Sequence, residues 1–131
     1  MKSDEVMIRV GVDIIEVGRI AAAINRHGER FFGRFFTERE LALSGGRIPT
    51  LAARVAAKEA VSKALGTGIG QVKWVELEVL ADGSGRPSLQ LHGEAERVAS
   101  ELGLSEWTVS LTHTQRHAMA FVVARSIHPE R

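Results

Sequence analysis

Residues 51–65, LAARVAAKEAVSKAL, limit the possible folds more than any other stretch of this chain. Pro49-Thr50 before them and Gly66 after them are start and stop signals for a helix. At about 100° per residue, Arg54, Lys58, Glu59 and Lys63 spread over about half the circumference, interleaved with Leu51, Val55 and Leu65. The opposite arc carries Ala52, Ala53, Ala56, Ala57, Ala60 and Ala64, small side chains that permit close packing. A plain surface helix gathers its charges on one side. This one does not, so both flanks are expected to be packed, with charges at the seams. A solvated edge fits the periodicity equally well, with Glu59 and Lys63 as an i,i+4 pair worth about 0.3 kcal/mol.

The flanking sequence supplies strands and further helices. Val6, Ile8, Val10 and Val12 alternate as in a strand, which Asp13 is expected to close before a helix over 15–27 with Val17, Ile20, Ala21 and Ile24 as its apolar stripe. Gly28 suits the end of that helix. Thr37 and Glu40 form a capping-box pattern for a short helix ending near Gly45-Gly46. Val75, Leu77 and Val79, a turn at Asp82-Gly83-Ser84-Gly85, and Leu89 and Leu91 predict a hairpin. A helix follows over 94–102. Trp107, Val109, Leu111 and His113 alternate, Thr114–Arg116 break the pattern, and 117–125 form a last strand. At 131 residues the chain is expected to be a single domain, 1–131. Segregated helices and antiparallel strands imply an α+β fold with an antiparallel sheet.

Composition excludes several chemistries. No cysteine is present, which removes disulfides, thiolate metal sites and cysteine nucleophiles and fits a reducing, cytoplasmic setting. Seventeen basic and sixteen acidic residues leave +1, so bulk charge points to no nucleic acid. No apolar run reaches membrane-span length, and MKSDEVMIRV lacks the apolar centre of a secretory signal.

Asp13 reads either as a helix N-cap or as a carboxylate aimed into a cleft. With Glu59 it could hold Mg²⁺, which commonly takes one or two carboxylates and fills its shell with water and substrate phosphates. Arg54, Lys58 and Lys63 suit those phosphates, Arg as a fork and Lys as a point charge. Gly66-Thr67-Gly68-Ile69-Gly70 follows a helix rather than opening one, so a helix cap and turn describe it better than a phosphate loop. Ser110, Thr112 and His113 end a strand; a Ser-His hydrolase would want G-x-S-x-G and an orienting acid, and neither is evident. His27, His92, His117 and His128 have no ligand spacing, and Trp74 and Trp107 read as core. Arg19, Arg26, Arg30 and Arg34 form either a solvated face or a docking face for an acidic partner.

Taken together these segments resemble the holo-acyl-carrier-protein synthases, the small single-domain phosphopantetheinyl transferases. Gly11-Val12-Asp13-Ile14 through Arg19 is similar to that family's N-terminal motif, RVAAKEAVSK with the following GTGIG to its second, and Ser110-Leu111-Thr112-His113-Thr114 to its C-terminal one. Phe36-Thr37-Glu38 and Gly85-Arg86-Pro87 also fit. Many members carry an aromatic residue where Val55 stands. The resemblance implies transfer of phosphopantetheine from coenzyme A to a serine of an acyl carrier protein, with Mg²⁺, releasing adenosine 3′,5′-bisphosphate. It implies Asp13 and Glu59 as metal carboxylates and, with Lys63, as the catalytic group. It implies Arg54, Lys58, Lys63, Gly66, Pro87, Ser110, Thr112 and His113 as coenzyme A contacts, and Arg19 and Arg26 as the carrier docking face. A homotrimer with interfacial sites is implied too. The attacking serine belongs to the carrier, so this chain needs no nucleophile; Glu59 or a metal-bound water would take the serine proton. The competing reading is a module without catalysis that binds an acidic partner through Arg19, Arg26 and Arg30.

Overall fold

The computed structural model describes residues 6–126; His128 lies outside them. Strand β1 (Ile8–Glu16) leads into helix α1 (Val17–His27), then α2 (Glu29–Phe35), α3 (Glu38–Ser44) and the long α4 (Ile48–Leu65). A 3₁₀ turn at Trp74–Glu76 precedes β2 (Leu77–Ala81) and β3 (Pro87–Leu91). Helix α5 (Gly93–Leu102) and strands β4 (Leu104–His113) and β5 (His117–Ser126) complete the order. The strands form two antiparallel sheets, β1-β5-β4 and β2-β3. The expected α+β class holds, with two sheets in place of one.

Helix α4 lies at the centre. Leu51, Ala52, Ala53 and Val55 pack with Val17, Ile20, Phe31, Phe36 and Ala118. Further along, Ala56, Ala57, Ala60, Val61 and Leu65 pack with Val72, Leu77, Val79, Val98 and the inward row of the larger sheet. Both flanks are therefore covered; Arg54 and Lys58 are buried, and the solvated-edge reading survives only at Lys63, whose side chain is 54% exposed. The helix also begins three residues earlier than its periodicity suggested, because Pro49 sits in the first turn, where its missing N–H costs nothing.

The junction of β1 with α1 departs from expectation. Asp13 does not end the strand. It pairs with Ala120 in the ladder, which continues to Glu16 opposite His117, and α1 starts only at Val17. Asp13 is thus no N-cap. Helix α2 has no counterpart in the sequence reading: Gly28, at φ 54°, ends α1 and starts α2 directly. Val75 belongs to the 3₁₀ turn rather than to the hairpin strand, and β4 starts at Leu104. Trp74 and Trp107, read as core, are only partly buried and pack against the edges of the two core clusters.

Gly11 decides how β1 meets α4. A Cβ built there would lie 1.9 Å from the carbonyl oxygen of Ala60, far inside contact distance. Strand backbone therefore rests directly on helix backbone. With a two-residue side-chain period, Asp13 and Ile15 share Gly11's inward face, while Val10, Val12 and Ile14 point outward and are exposed. Gly11→Ala is expected to destabilise the protein by about 1–3 kcal/mol, the usual cost of overpacking, measured by urea unfolding. A change under about 0.5 kcal/mol, the range of ordinary surface substitutions, would show that the contact yields freely.

Candidate active site between β1 and α4

The backbone contact at Gly11 brings Asp13 to the side of α4 that carries Glu59 and Lys63. Lys63 does not fold back to pair with Glu59. Its Nζ donates to Asp13 Oδ1 at 3.1 Å and to the Val12 carbonyl oxygen at 3.0 Å. Burial pushes the Glu59 carboxyl above its ordinary value, the neighbouring Asp13 charge pushes it further, and Lys63 pulls it partly back. A carboxyl held back from ionising by a neighbouring carboxylate, with one cation close by, marks a place where additional positive charge would be welcome. Both supply hard oxygen donors, which fits Mg²⁺; among the described residues no group of three or more His, Cys, Asp or Glu gathers to cage a metal.

These carboxylates open onto a cavity of about 420 Å³ lined by Asp13, Glu59, Arg19, Phe31, Phe35 and Trp74, among others. Arg19 rises from α1 at its edge, and Arg26 lies exposed in the last turn of the same helix. Phe35 packs on Trp74 with ring centroids 4.4 Å apart. The aromatic wall was not anticipated, because α2 was not. Arg30 and Arg34, with Phe31 and Phe35, line an adjoining cavity of about 210 Å³.

The four charged residues of α4 divide between two sides. Lys58 is fully buried, with Nζ 2.8 Å from Glu40 Oε1 and 2.9 Å from the Trp74 carbonyl oxygen. Burial lowers its pKa and Glu40 opposes that shift. Two of its three N–H donors are taken inside the protein and the ammonium is closed to solvent, so the expectation that Lys58 holds a coenzyme A phosphate is corrected. Arg54 stands on the same side, with Nε donating to the Val79 carbonyl oxygen at 3.1 Å; burial also lowers its pKa. Glu40 is the residue the sequence undervalued. Thr-x-x-Glu marked it as a cap, and the capping box is present, but its burial and its partner on α4 are tertiary facts.

The remaining expected contacts lie elsewhere. Gly66, at φ 79°, caps α4, its N–H donating to the Lys63 carbonyl oxygen. Pro87 and Ser110 line a groove of about 580 Å³ between the β2-β3 hairpin and β4. Ser110 and Thr112 belong to outward rows of the larger sheet, opposite Phe121 and Met119 of β5, and His113 is exposed at the strand end. Within one chain, then, Asp13, Glu59, Lys63 and Arg19 come together, whereas Pro87, Ser110, Thr112 and His113 do not join them.

A model of the 4′-phosphopantetheinyl transferase superfamily matches residues 9–122. Among similar proteins is a holo-[acyl-carrier-protein] synthase of Herpetosiphon aurantiacus, 48% identical over 124 residues, covering 89% of this chain and 98% of the relative. The fold matches the holo-[acyl-carrier-protein] synthase of Neisseria meningitidis with TM-score 0.82 and 35% identity, over 90% of this chain and 98% of that one. It matches the Helicobacter pylori enzyme, solved in complex with coenzyme A, with TM-score 0.81 and 27% identity, over 88% and 98%.

The raised Glu59 pKa has a testable sign. A carboxyl whose folded pKa exceeds its unfolded value favours folding below the unfolded pKa, and that contribution is lost as pH rises through the folded one. Without metal, Glu59→Gln is therefore expected to melt higher than the parent at about pH 8, the gap closing near pH 4, where carboxyls protonate. Differential scanning calorimetry at both pH values reads this; a variant melting lower at pH 8 would contradict it.

Proposed function

The chain belongs to the 4′-phosphopantetheinyl transferase superfamily, and from this we infer that it transfers the 4′-phosphopantetheine group of coenzyme A to a serine of an apo acyl carrier protein. The observation that carries this reading is the convergence of Asp13 and Glu59 beside Lys63 in an accessible cavity. It has the charge pattern expected of a phosphoryl-transfer site, where positioning and electrostatics dominate. Adenosine 3′,5′-bisphosphate is the product left by this transfer, and the substrates point to the cytoplasm.

Asp13 and Glu59 would hold Mg²⁺, which when bound supplies charge neutralisation at the pyrophosphate. Lys63, already within reach of Asp13, extends that positive field as a point charge. Arg54, Gly66, Pro87, Ser110, Thr112 and His113 complete the proposed coenzyme A set. Arg19 at the cavity edge and Arg26 at the far end of α1 form the docking face, orienting an acidic carrier so that its serine enters beside the carboxylates. The Phe31–Phe35–Trp74 wall helps to limit water access from one side.

We further infer a homotrimer with sites between subunits. The outward face of the larger sheet exposes Ile8, Val10, Val12, Ile14, Met119 and Phe121, each 40–62% accessible. An apolar row of this kind spanning adjacent strands marks an association surface. A neighbouring copy seated there would bring its own groove residues toward this chain's carboxylates, which answers their separation within one chain.

Incubation with coenzyme A, Mg²⁺ and apo carrier protein is expected to add the mass of phosphopantetheine to the carrier. Asp13→Ala and Glu59→Ala should each reduce the rate by about a hundredfold or more, the scale of losing a charge-stabilising group. Unchanged turnover in both would refute the assignment. A chain that bound an acidic partner in a salt-sensitive manner and left coenzyme A unbound in calorimetry would instead be a docking module.

Phe121→Lys is expected to yield monomers in sedimentation velocity, with coenzyme A affinity at least about tenfold lower, since one lost interface contact can supply 1.4 kcal/mol. Monomers that bind coenzyme A with parental affinity would rule out shared sites.

A further inference from the structure

Six of the 18 residues of α4 are alanines gathered on one arc, and a helix face paved with small residues can slide or turn with little loss of packing. On that arc large interdigitating side chains, which normally fix such register, are few; Leu51, Val55, Val61 and Leu65 lie off it. Yet the site requires Glu59 to stand at one position relative to Asp13. The contact between Gly11 and the Ala60 carbonyl fixes how closely β1 approaches one side of the helix. A second anchor is needed elsewhere on its circumference.

Lys58 supplies one. It lies two residues before Ala60, about 200° around the helix, and its ammonium is fully enclosed. Glu40, equally enclosed, meets it at 2.8 Å. The Glu40 carboxylate also accepts from the Thr37 N–H at 3.0 Å and, through its other oxygen, from the Val79 N–H at 2.8 Å. Lys58 in turn donates to the carbonyl oxygen of Trp74, whose ring lines the cavity containing Asp13 and Glu59. Arg54 hangs on the carbonyl of the same Val79 that Glu40 holds by its amide. One buried pair thus ties α3, α4, the 3₁₀ turn and β2 together.

Burying two charges is a poor way to gain stability, since an apolar pair of the same volume often does as well or better; the best-attested benefit is fixing register. We propose that the Glu40–Lys58 pair is a register pin for α4, a pair of positioning residues that hold Glu59 opposite Asp13 and Trp74 at the cavity wall. Neither residue touches substrate. The proposal rests on the transferase reading above and assigns a role to residues outside the carboxylate site.

Lys58→Met combined with Glu40→Gln replaces the pair by neutral groups of similar size. Three properties are compared with the parent: metal-free melting temperature, Mg²⁺ affinity by calorimetry with coenzyme A present, and kcat and KM for transfer. The expected result is a melting temperature close to the parent's, with Mg²⁺ affinity and kcat lower by about tenfold to a hundredfold, the usual effect of losing an orienting contact behind a metal ligand. The KM for coenzyme A should change little. Parental Mg²⁺ affinity and kcat would overturn the proposal. So would losses that follow the melting temperature down and recover on cooling, since the pair would then serve stability alone. Should the double variant not fold, Glu40→Gln alone, which removes the carboxylate and leaves Lys58, whose pKa burial already lowers, able to become neutral, is held to the same criteria. A parent that binds Mg²⁺ and coenzyme A but transfers nothing would refute the transferase reading, and the Mg²⁺ comparison would still decide the pin. A parent that binds neither would overturn both.

Discussion

The site depends on one backbone contact. Gly11 lets a strand lie against the Ala60 carbonyl with no side chain between them, and every other feature of the site follows from that proximity. Glu59 is one residue from Ala60 along the helix, and Asp13 is two from Gly11 along the strand, on the same face. Two backbones in contact therefore set two carboxylates as neighbours. Lys63, one turn beyond Glu59, reaches Asp13 and the Val12 carbonyl. The Ala-rich arc of α4 contributes to the same end, because it lets the sheet and the surrounding helices close around the helix.

The charges of α4 then serve two purposes. Glu59 faces the cavity and Lys63 reaches Asp13 beside it, while Arg54 and Lys58 turn to the other side, where Lys58 is held by internal partners and Arg54 commits only its Nε, to the Val79 carbonyl oxygen. Sequence spacing alone cannot make this distinction. Four charged residues over half a helix look like one set until the partners are known, and those partners, Glu40 and Val79, lie on α3 and β2. A lysine with Glu40 and the Trp74 carbonyl as partners inside the core is not available to a phosphate, whatever its position in a motif.

Much of the architecture was legible in the residues. The central helix, the Thr37–Glu40 cap, the Asp82–Gly85 turn and the final two strands all carry local signals, and local signals set local structure. What escaped was decided by tertiary contact. Asp13 looked like a strand end because polar residues usually end strands; its ladder with β5 continues to Glu16 opposite His117, and Ile15, on the inward face two residues on, packs against the core. Helix α2 was hidden by Gly28 and by a seven-residue length, two turns, too short for a periodic stripe. The carboxylate pair was legible as a possibility from residue type and fixed only by the fold. Pro87, Ser110, Thr112 and His113 share no cavity with that pair, a separation that the proposed neighbouring subunit would bridge.

The central claim is that Asp13 and Glu59 act as one cation site. A crystal structure grown with Mg²⁺ and coenzyme A tests it most directly. The account predicts a single ion with a carboxylate oxygen from each residue at about 2.1 Å, the ordinary Mg²⁺–oxygen distance, and the pyrophosphate on the same ion. An ion coordinated by neither carboxylate, with coenzyme A fully bound, would contradict it.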